Sequence, residues 1–297
     1  MYDKVVEKKH KKRIHFTKFK VNRSAGGSVA MGIVVLIFAL FSAFPLYYTI
    51  IQSLKPMTEL WIFPPKFYVI NPTYKNFVDL FVIVSNSTVP FLRYVFNTLM
   101  ITVVNTVGQI LISSMAAYPL AKHDFPGKNG YFRIIVLSLM FSGAVTTIPN
   151  YLILAKLGWI DTYLSIIVPA LGGTLGLYLM KQFMEQIPDS ILEAAKMDGS
   201  NEWLTFWKIV MPSVKPAWLT LIVFSVQAFW SMGASTFIYS EQYKTMPYAL
   251  GQILAAGIAR AGVGCAVAVV IMSVPIIVFV FTQGNVIQTM TSSGIKE

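Results

Sequence analysis

Six stretches of this sequence carry no charged residue and are long enough to cross a membrane: residues 28–54, 94–121, 134–155, 162–180, 216–238 and 261–295, the last losing its apolar character near Thr282. A helix needs roughly 18 or more such residues to span a hydrocarbon core of about 30 Å. The rest of the composition agrees, because 55% of the 297 residues are hydrophobic and only 12% charged, about half the charge of an average soluble domain. The sequence therefore predicts an all-α membrane protein of six transmembrane helices. An even number of crossings puts both termini on one side.

Charge decides which side. With loops assigned alternately, 17 of the 24 Lys and Arg fall on the side of the termini, nine of them in residues 1–27, and seven fall opposite: Lys55, Lys66, Lys75, Arg93, Lys156, Lys244 and Arg260. The positive-inside bias makes both termini cytoplasmic. The formal net charge of +11 is thereby explained by membrane orientation and anionic-lipid contact rather than by nucleic acid. The first apolar stretch is too long for a signal-peptide core and lacks a small-residue cleavage pattern, so it reads as a retained span. Cys265 is the only cysteine, which excludes an intrachain disulfide.

Between the first two spans, residues 55–93 hold five prolines and interleaved aromatics, among them Trp61, Phe63, Tyr68 and Tyr74. That mixture predicts an external segment ordered against the membrane surface. The second span contains Asn97, Asn105 and Gln109, which must face protein or water because lipid offers no hydrogen-bond partner. They read either as helix-to-helix glue or as part of a substrate path. Bends are expected at Ser142-Gly143 and near Pro149-Asn150, and the fourth span carries Pro169, Gly172, Gly173 and Gly176.

What the spans lack is equally informative. Proton- and sodium-coupled carriers place carboxylates or His at membrane depth, yet all thirteen acidic residues lie in tails, loops or span edges, and the histidines are His10, His15 and His123. No Gly-x-x-x-x-Gly-Lys-Ser/Thr phosphate loop, metal-spaced His/Cys set or nucleophile elbow is present. The chain reads as neither an enzyme nor an ATP-binding protein. A transporter of this kind needs its energy from a separate subunit, and no cofactor belongs to this chain.

The loop at 181–215 is far longer than a usual helix connection. Pro188 and Asp189 open a helical pattern that ends at Asp198-Gly199, and Ser200 or Asn201 caps a second helix with apolar Trp203, Leu204, Phe206, Trp207 and Val210. Glu193-Ala194-Ala195, Gly199 four residues after Ala195, Ile209 ten further and Pro212 three beyond resemble the signature loop of type-I importer permeases that dock on ATP-binding-cassette subunits. Asp198, Trp203 and Phe206 are similar to the carbohydrate-uptake branch and its maltose-type second permease. Met211 stands where Leu is usual. The tail from Asn285 to Lys296 resembles permeases of lipoprotein-associated and polysaccharide-fragment importers.

The resemblance implies a type-I ABC importer permease in the cell membrane, translocating an oligosaccharide by alternating access. Its implied partners are a second homologous permease, two ATPase subunits that bind ATP and Mg, and an external substrate-binding lipoprotein. Glu193, Ala194, Ala195, Asp198, Gly199, Ile209 and Pro212 become ATPase-coupling residues. The layout is a basic tail 1–27, a first helix 28–54, an external segment 55–93, a five-helix core 92–284 that includes the coupling loop 181–215, and a tail 285–297. For the substrate path, Gln227 and Trp230 sit three apart on one helical face, with Asn97, Asn105 and Gln109 next. The alternatives are a non-sugar cargo on the same architecture, or a stand-alone channel or secondary carrier.

Overall fold

The computed structural model describes residues 25–85, 89–141, 143–233, 236–254 and 260–293. Most of the basic tail, residues 1–24, lies outside these, as does 294–297; the side chains after Gly284 are likewise outside the described set, so the C-terminal resemblance is not placed by it. Among the described residues there are helices and turns and no strand.

The chain divides after Tyr48 into two units. The first ends within helix α1, Ala25–Leu54. Its apolar side chains face outward, Phe41 at 78% exposure, which suits hydrocarbon rather than water. The second unit begins at Thr49. It opens with a segment holding α2 (Met57–Leu60) and α3 (Lys75–Ser85). Buried polar groups tie this segment together. The Lys55 ammonium donates to the Lys66 carbonyl at 2.6 Å, Glu59 accepts from the Ile70 and Asn71 amides, and the Asn76 amide donates to the carbonyls of Ser53 and Lys55, both at 2.8 Å. The order expected of this segment thus comes from satisfied buried polar groups, with Phe63 and Tyr74 left exposed.

Helix α4, Phe91–Lys122, runs for 32 residues through the interior. Its pattern is inverted relative to a soluble helix. Asn97, Thr98, Thr102, Asn105, Thr106, Gln109, Ser113 and Ser114 are buried, whereas Phe96, Leu99, Val103, Val107 and Leu111 are exposed. Such a helix is stable only where its outer face meets lipid or another apolar surface.

The third apolar window does not form one helix. It divides into α5 (Lys128–Ser138) and α6 (Gly143–Lys156) around a turn at 139–141, while α6 runs through Pro149 without interruption. At about 1.5 Å per residue neither piece alone reaches the ~30 Å core. The fourth window divides at Gly172-Gly173 into α7 (Leu164–Leu171) and α8 (Thr174–Glu185), which together still make a span of 22 residues. Then follow α9 (Asp189–Met197), α10 (Glu202–Thr205), a π-turn at Phe206–Val210, α11 (Met211–Ser213) and α12 (Lys215–Trp230). The chain closes with α13 (Met246–Leu254) and α14 (Ala261–Ser293). Among the described residues four helices are long and apolar enough to cross a membrane, and a fifth if the segments Glu202–Ser213 and Lys215–Trp230, bent by 74°, count as one.

Glycines let α4 approach the broken span. A Cβ on Gly173 would lie 1.9 Å from the Gln109 amide nitrogen. One on Gly176 would lie 2.7 Å from Ser113 Oγ and 3.1 Å from a Leu221 methyl. At Gly176 three helices, α4, α8 and α12, close on one point. Gly176→Ala is therefore expected to lower stability by about 1–3 kcal/mol, the usual cost of overpacking. Combining it with Ser113→Gly, which clears the hydroxyl, recovers part of that loss in a thermal unfolding series of the purified membrane complex. Equal stability of Gly176→Ala and wild type would show that the seam is looser than described.

Candidate functional site

The hairpin of α9 and α10 is built from local rules. Pro188 precedes α9 and Asp189 stands in its first turn, where negative charge favours the helix dipole. Its end is a Schellman motif: the Ser200 amide donates to the Ala195 carbonyl and the Gly199 amide to the Lys196 carbonyl, both at 3.0 Å. Gly199 closes it at φ +80°, a conformation costly for other residues, while a Cβ there would meet nothing within 4 Å. Of the two candidate caps, Asn201 performs the capping of α10, its Oδ1 accepting from the Leu204 amide at 2.7 Å. Ser200 instead reaches Thr205, hydroxyl to hydroxyl, at 2.9 Å.

The signature residues divide by face. Leu192 and Ala195 are buried, Leu192 in one apolar cluster with Met180, Met184, Phe206 and Val210, while Glu193, Ala194, Asp198 and Gly199 are exposed. Ile209 is half-buried and Pro212 exposed. Outward-facing apolar groups surround them, Met197 at 89% exposure and Trp203 at 60%. Packing of Trp203, Phe206 and Trp207, with ring centroids 5.0–6.4 Å apart, stiffens the second half of the hairpin.

Two polar clamps fasten this hairpin to the end of α4. Glu202 accepts from the Tyr118 hydroxyl at 2.8 Å, pairs with Lys196 at 2.9 Å and lies 3.7 Å from His123 Nε2. Lys122 donates to the Ile187 carbonyl at 2.5 Å and to Asp189 at 2.7 Å. The Lys196 and Tyr118 hydrogen bonds hold the Glu202 carboxyl below its ordinary pKa, and Lys122 does the same for Asp189. Sequence reading missed Glu202 and Tyr118 as partners. They lie 84 residues apart, and no local spacing connects them.

At the other end of α4 the segment 236–248 folds onto the helix. Asn97 donates to the carbonyls of Gln242 and Lys244 at 2.9 and 2.8 Å and accepts from the Tyr163 hydroxyl at 2.7 Å. Thr98 accepts from the Met246 amide at 2.8 Å. Asp161, at φ +59°, accepts from the Tyr239 and Ser240 amides and from the Ser240 hydroxyl. Those bonds, the Ser240 hydroxyl foremost, pull the Asp161 carboxyl below its usual pKa.

The residues named for the substrate path do not come together as one surface. Gln227 is exposed, whereas Trp230 is buried and donates its indole N–H to the Ile271 carbonyl of α14 at 2.9 Å. Asn97 belongs to the clasp between α4 and the segment 236–248 described above. Gln109 accepts from the Ser225 hydroxyl at 2.6 Å, and Asn105, fully buried, has no hydrogen-bond partner among the described residues. Among the described residues no group of His, Cys, Asp and Glu is arranged to hold a metal ion.

Two outcomes follow from this geometry. Gly199→Ala should cost about 1–2 kcal/mol through left-handed strain, and Gly199→Asn less; amide exchange at Ser200 reports the cap directly, and identical protection in both variants would show that the turn carries no strain. Because the Asp161 carboxyl is depressed, its contribution to stability is fully present above its unfolded pKa of about 3.9 and is lost only as pH falls through the lower folded value. Exchange protection at Tyr239 and Ser240 should accordingly persist at pH 5 and vanish in Asp161→Asn, with loss already at pH 5 in the wild type counting against the assignment.

Known proteins align with between half and nearly all of this chain. Protein LplC of Bacillus subtilis is 37% identical over 145 residues, 49% of this chain and 48% of that protein. The arabinooligosaccharides transport system permease protein AraQ of B. subtilis is 26% identical over 284 residues, 95% of this chain and 99% of that one. The crystal structure of a bacterial ABC transporter involved in the import of the acidic polysaccharide alginate contains a chain with the same fold, at TM-score 0.72 and 21% identity, covering 89% of this chain and 98% of its own. The family model of binding-protein-dependent transport system inner membrane components matches residues 29–291, and the chain belongs to that family.

Proposed function

We propose that this chain is one of two membrane subunits of an ATP-driven importer that carries an oligosaccharide inward. The observation that carries the coupling part of this reading is the capped hairpin of α9 and α10. It presents Glu193, Met197 and Trp203 outward while its rear is fastened to α4 through Glu202 and Lys122. An ATPase subunit gripping the outward face would pull on α4 through those clamps. Relatives named for arabinooligosaccharides, and a structural neighbour from an alginate importer, support a carbohydrate cargo.

In this reading the chain crosses the membrane six times with cytoplasmic termini. The third crossing is made by the α5 and α6 pair, and residues 181–215 form the cytoplasmic coupling loop. Glu193, Ala194, Ala195, Asp198, Gly199, Ile209 and Pro212 contact an ATPase that binds ATP and Mg. A second homologous permease completes the membrane part, two ATPases drive it, and an external binding protein delivers the sugar. Gln227 and Asn105 are the path candidates whose side-chain amides no other described residue engages by hydrogen bond. Trp230 supports the path from behind, through α14.

Mass spectrometry of the complex purified through a tag on this chain tests the assembly. An ATP-binding-cassette subunit, a second permease and a sugar-binding protein are expected in the eluate, and a chain purifying alone as a stable oligomer would overturn the reading. In the intact complex, Glu202→Gln with Tyr118→Phe should leave the ATPase bound and its basal hydrolysis unchanged while uptake of the sugar identified with the binding protein falls at least tenfold. Wild-type uptake in that double variant would remove the clamp from the coupling route.

A further inference from the structure

Midway along α4, one turn gathers polar atoms that the protein itself does not satisfy. Thr102 Oγ1, both polar atoms of the Asn105 amide and Thr106 Oγ1 are buried and have no hydrogen-bond partner among the described residues. Asn105 is fully buried, and Thr102 and Thr106 are 5% and 7% exposed. Positions 102, 105, 106 and 109 share one helical face. A Thr in a helix ordinarily bonds back to the carbonyl four residues earlier, as Thr98 does to Tyr94 at 2.9 Å. Thr102 and Thr106 do not, so their hydroxyls are not consumed by their own helix.

Their surroundings sharpen the point. One turn toward the external end, Ile101 packs with Ile166 of α7 and with Ile238. One turn toward the cytoplasmic end, Gln109 is engaged by Ser225 of α12 and lies against Gly173. Asn105 is thus held between an apolar plug and a satisfied amide, beside the span that breaks at Gly172-Gly173. Unsatisfied buried polar groups destabilise a protein and are rare in native structures. Four in one turn, at a depth where lipid supplies nothing, mark a place where a partner other than the chain is taken.

We propose that Thr102, Asn105 and Thr106 form a binding site for hydroxyl groups, occupied by water or by a sugar as the seam between α4 and its neighbours opens during transport. The donor set selects this chemistry. The Asn105 nitrogen needs an acceptor and the three oxygens offer lone pairs, so a ligand that both donates and accepts satisfies all of them; a metal cation would leave the nitrogen unmet. No carboxylate lies in the apolar windows to compensate a cation. The sugar as occupant rests on the transport reading; the site itself does not.

The test is cysteine labelling in the purified complex. Asn105→Cys, in a Cys265→Ala background, is exposed to methyl methanethiosulfonate without nucleotide and during ATP turnover, with and without arabinotriose as carbohydrate probe. Labelling that rises at least fivefold during turnover supports the site. Protection by arabinotriose then assigns the hydroxyls to sugar, and labelling indifferent to it assigns them to water. No labelling in any state overturns the proposal. Because a cysteine at 105 can fail to assemble, Asn105→Leu provides an independent reading: an unchanged or higher melting temperature is expected, since no internal bond is lost, and a fall of more than 5 °C would reveal a protein partner for the amide and overturn the site. A missing ATPase in the eluate strikes the transport reading, whereas an unreactive position 105 in an intact complex strikes this site alone.

Discussion

A polar helix face inside a membrane must find every one of its partners within protein, and α4 is where this chain meets that demand. Its outer side is a row of Phe, Leu and Val and its inner side a row of Asn, Thr, Gln and Ser. The hydrophobic effect gives the inner row no reason to bury itself in lipid surroundings. Close packing and hydrogen bonds must supply it. This is why glycines stand opposite at Gly173 and Gly176, where a methyl group would collide with Gln109 or Ser113. The break of the fourth span at Gly172-Gly173 lies at this same seam.

The same helix is held at its two ends by different chemistry. At its N-terminal end the clasp is made largely of backbone groups, with Asn97 and Asp161 collecting the amides and carbonyls of 237–244. At its C-terminal end it is made of charges, with Glu202, Lys196, Lys122 and Asp189 arranged over the edge of a compact apolar cluster. Backbone clasps resist change because any displacement orphans several groups at once. Ion pairs at a half-exposed surface exchange partners at lower cost. A helix of 32 residues, about 48 Å long, is thus joined firmly at one end and adjustably at the other.

Local order was legible in the sequence wherever a rule acts within a few residues. The Asp198-Gly199 turn, an Asn cap and the helix beginning at Asp189 all obey short-range conformational and capping chemistry, and all are present. The apolar windows marked the helical regions but not their continuity: hydropathy records which residues tolerate lipid, and the break at 139–141 was signalled instead by the bend expected beside it at Ser142-Gly143. The candidate path shows a second limit. Three-residue spacing put Gln227 and Trp230 within the same helical quadrant, yet 60° of rotation separates them, and at the edge of a seam that is enough to expose one and bury the other. The Glu202 and Tyr118 contact depends on tertiary arrangement alone.

The amides of the second span were open to two readings from sequence, glue or path, and the structure divides them by the state of their hydrogen bonds. Asn97 has nearly exhausted its capacity on backbone and on Tyr163, and Gln109 has committed its oxygen to Ser225. Such residues lose more than they gain by turning to a passing ligand, since each abandoned partner is then buried unpaired. Asn105 has nothing to abandon. An importer of hydroxyl-rich cargo needs groups that bind weakly and release quickly. An amide and two hydroxyls held out of reach of their own helix meet that requirement, at a cost in stability that packing at the two ends of α4 is placed to absorb.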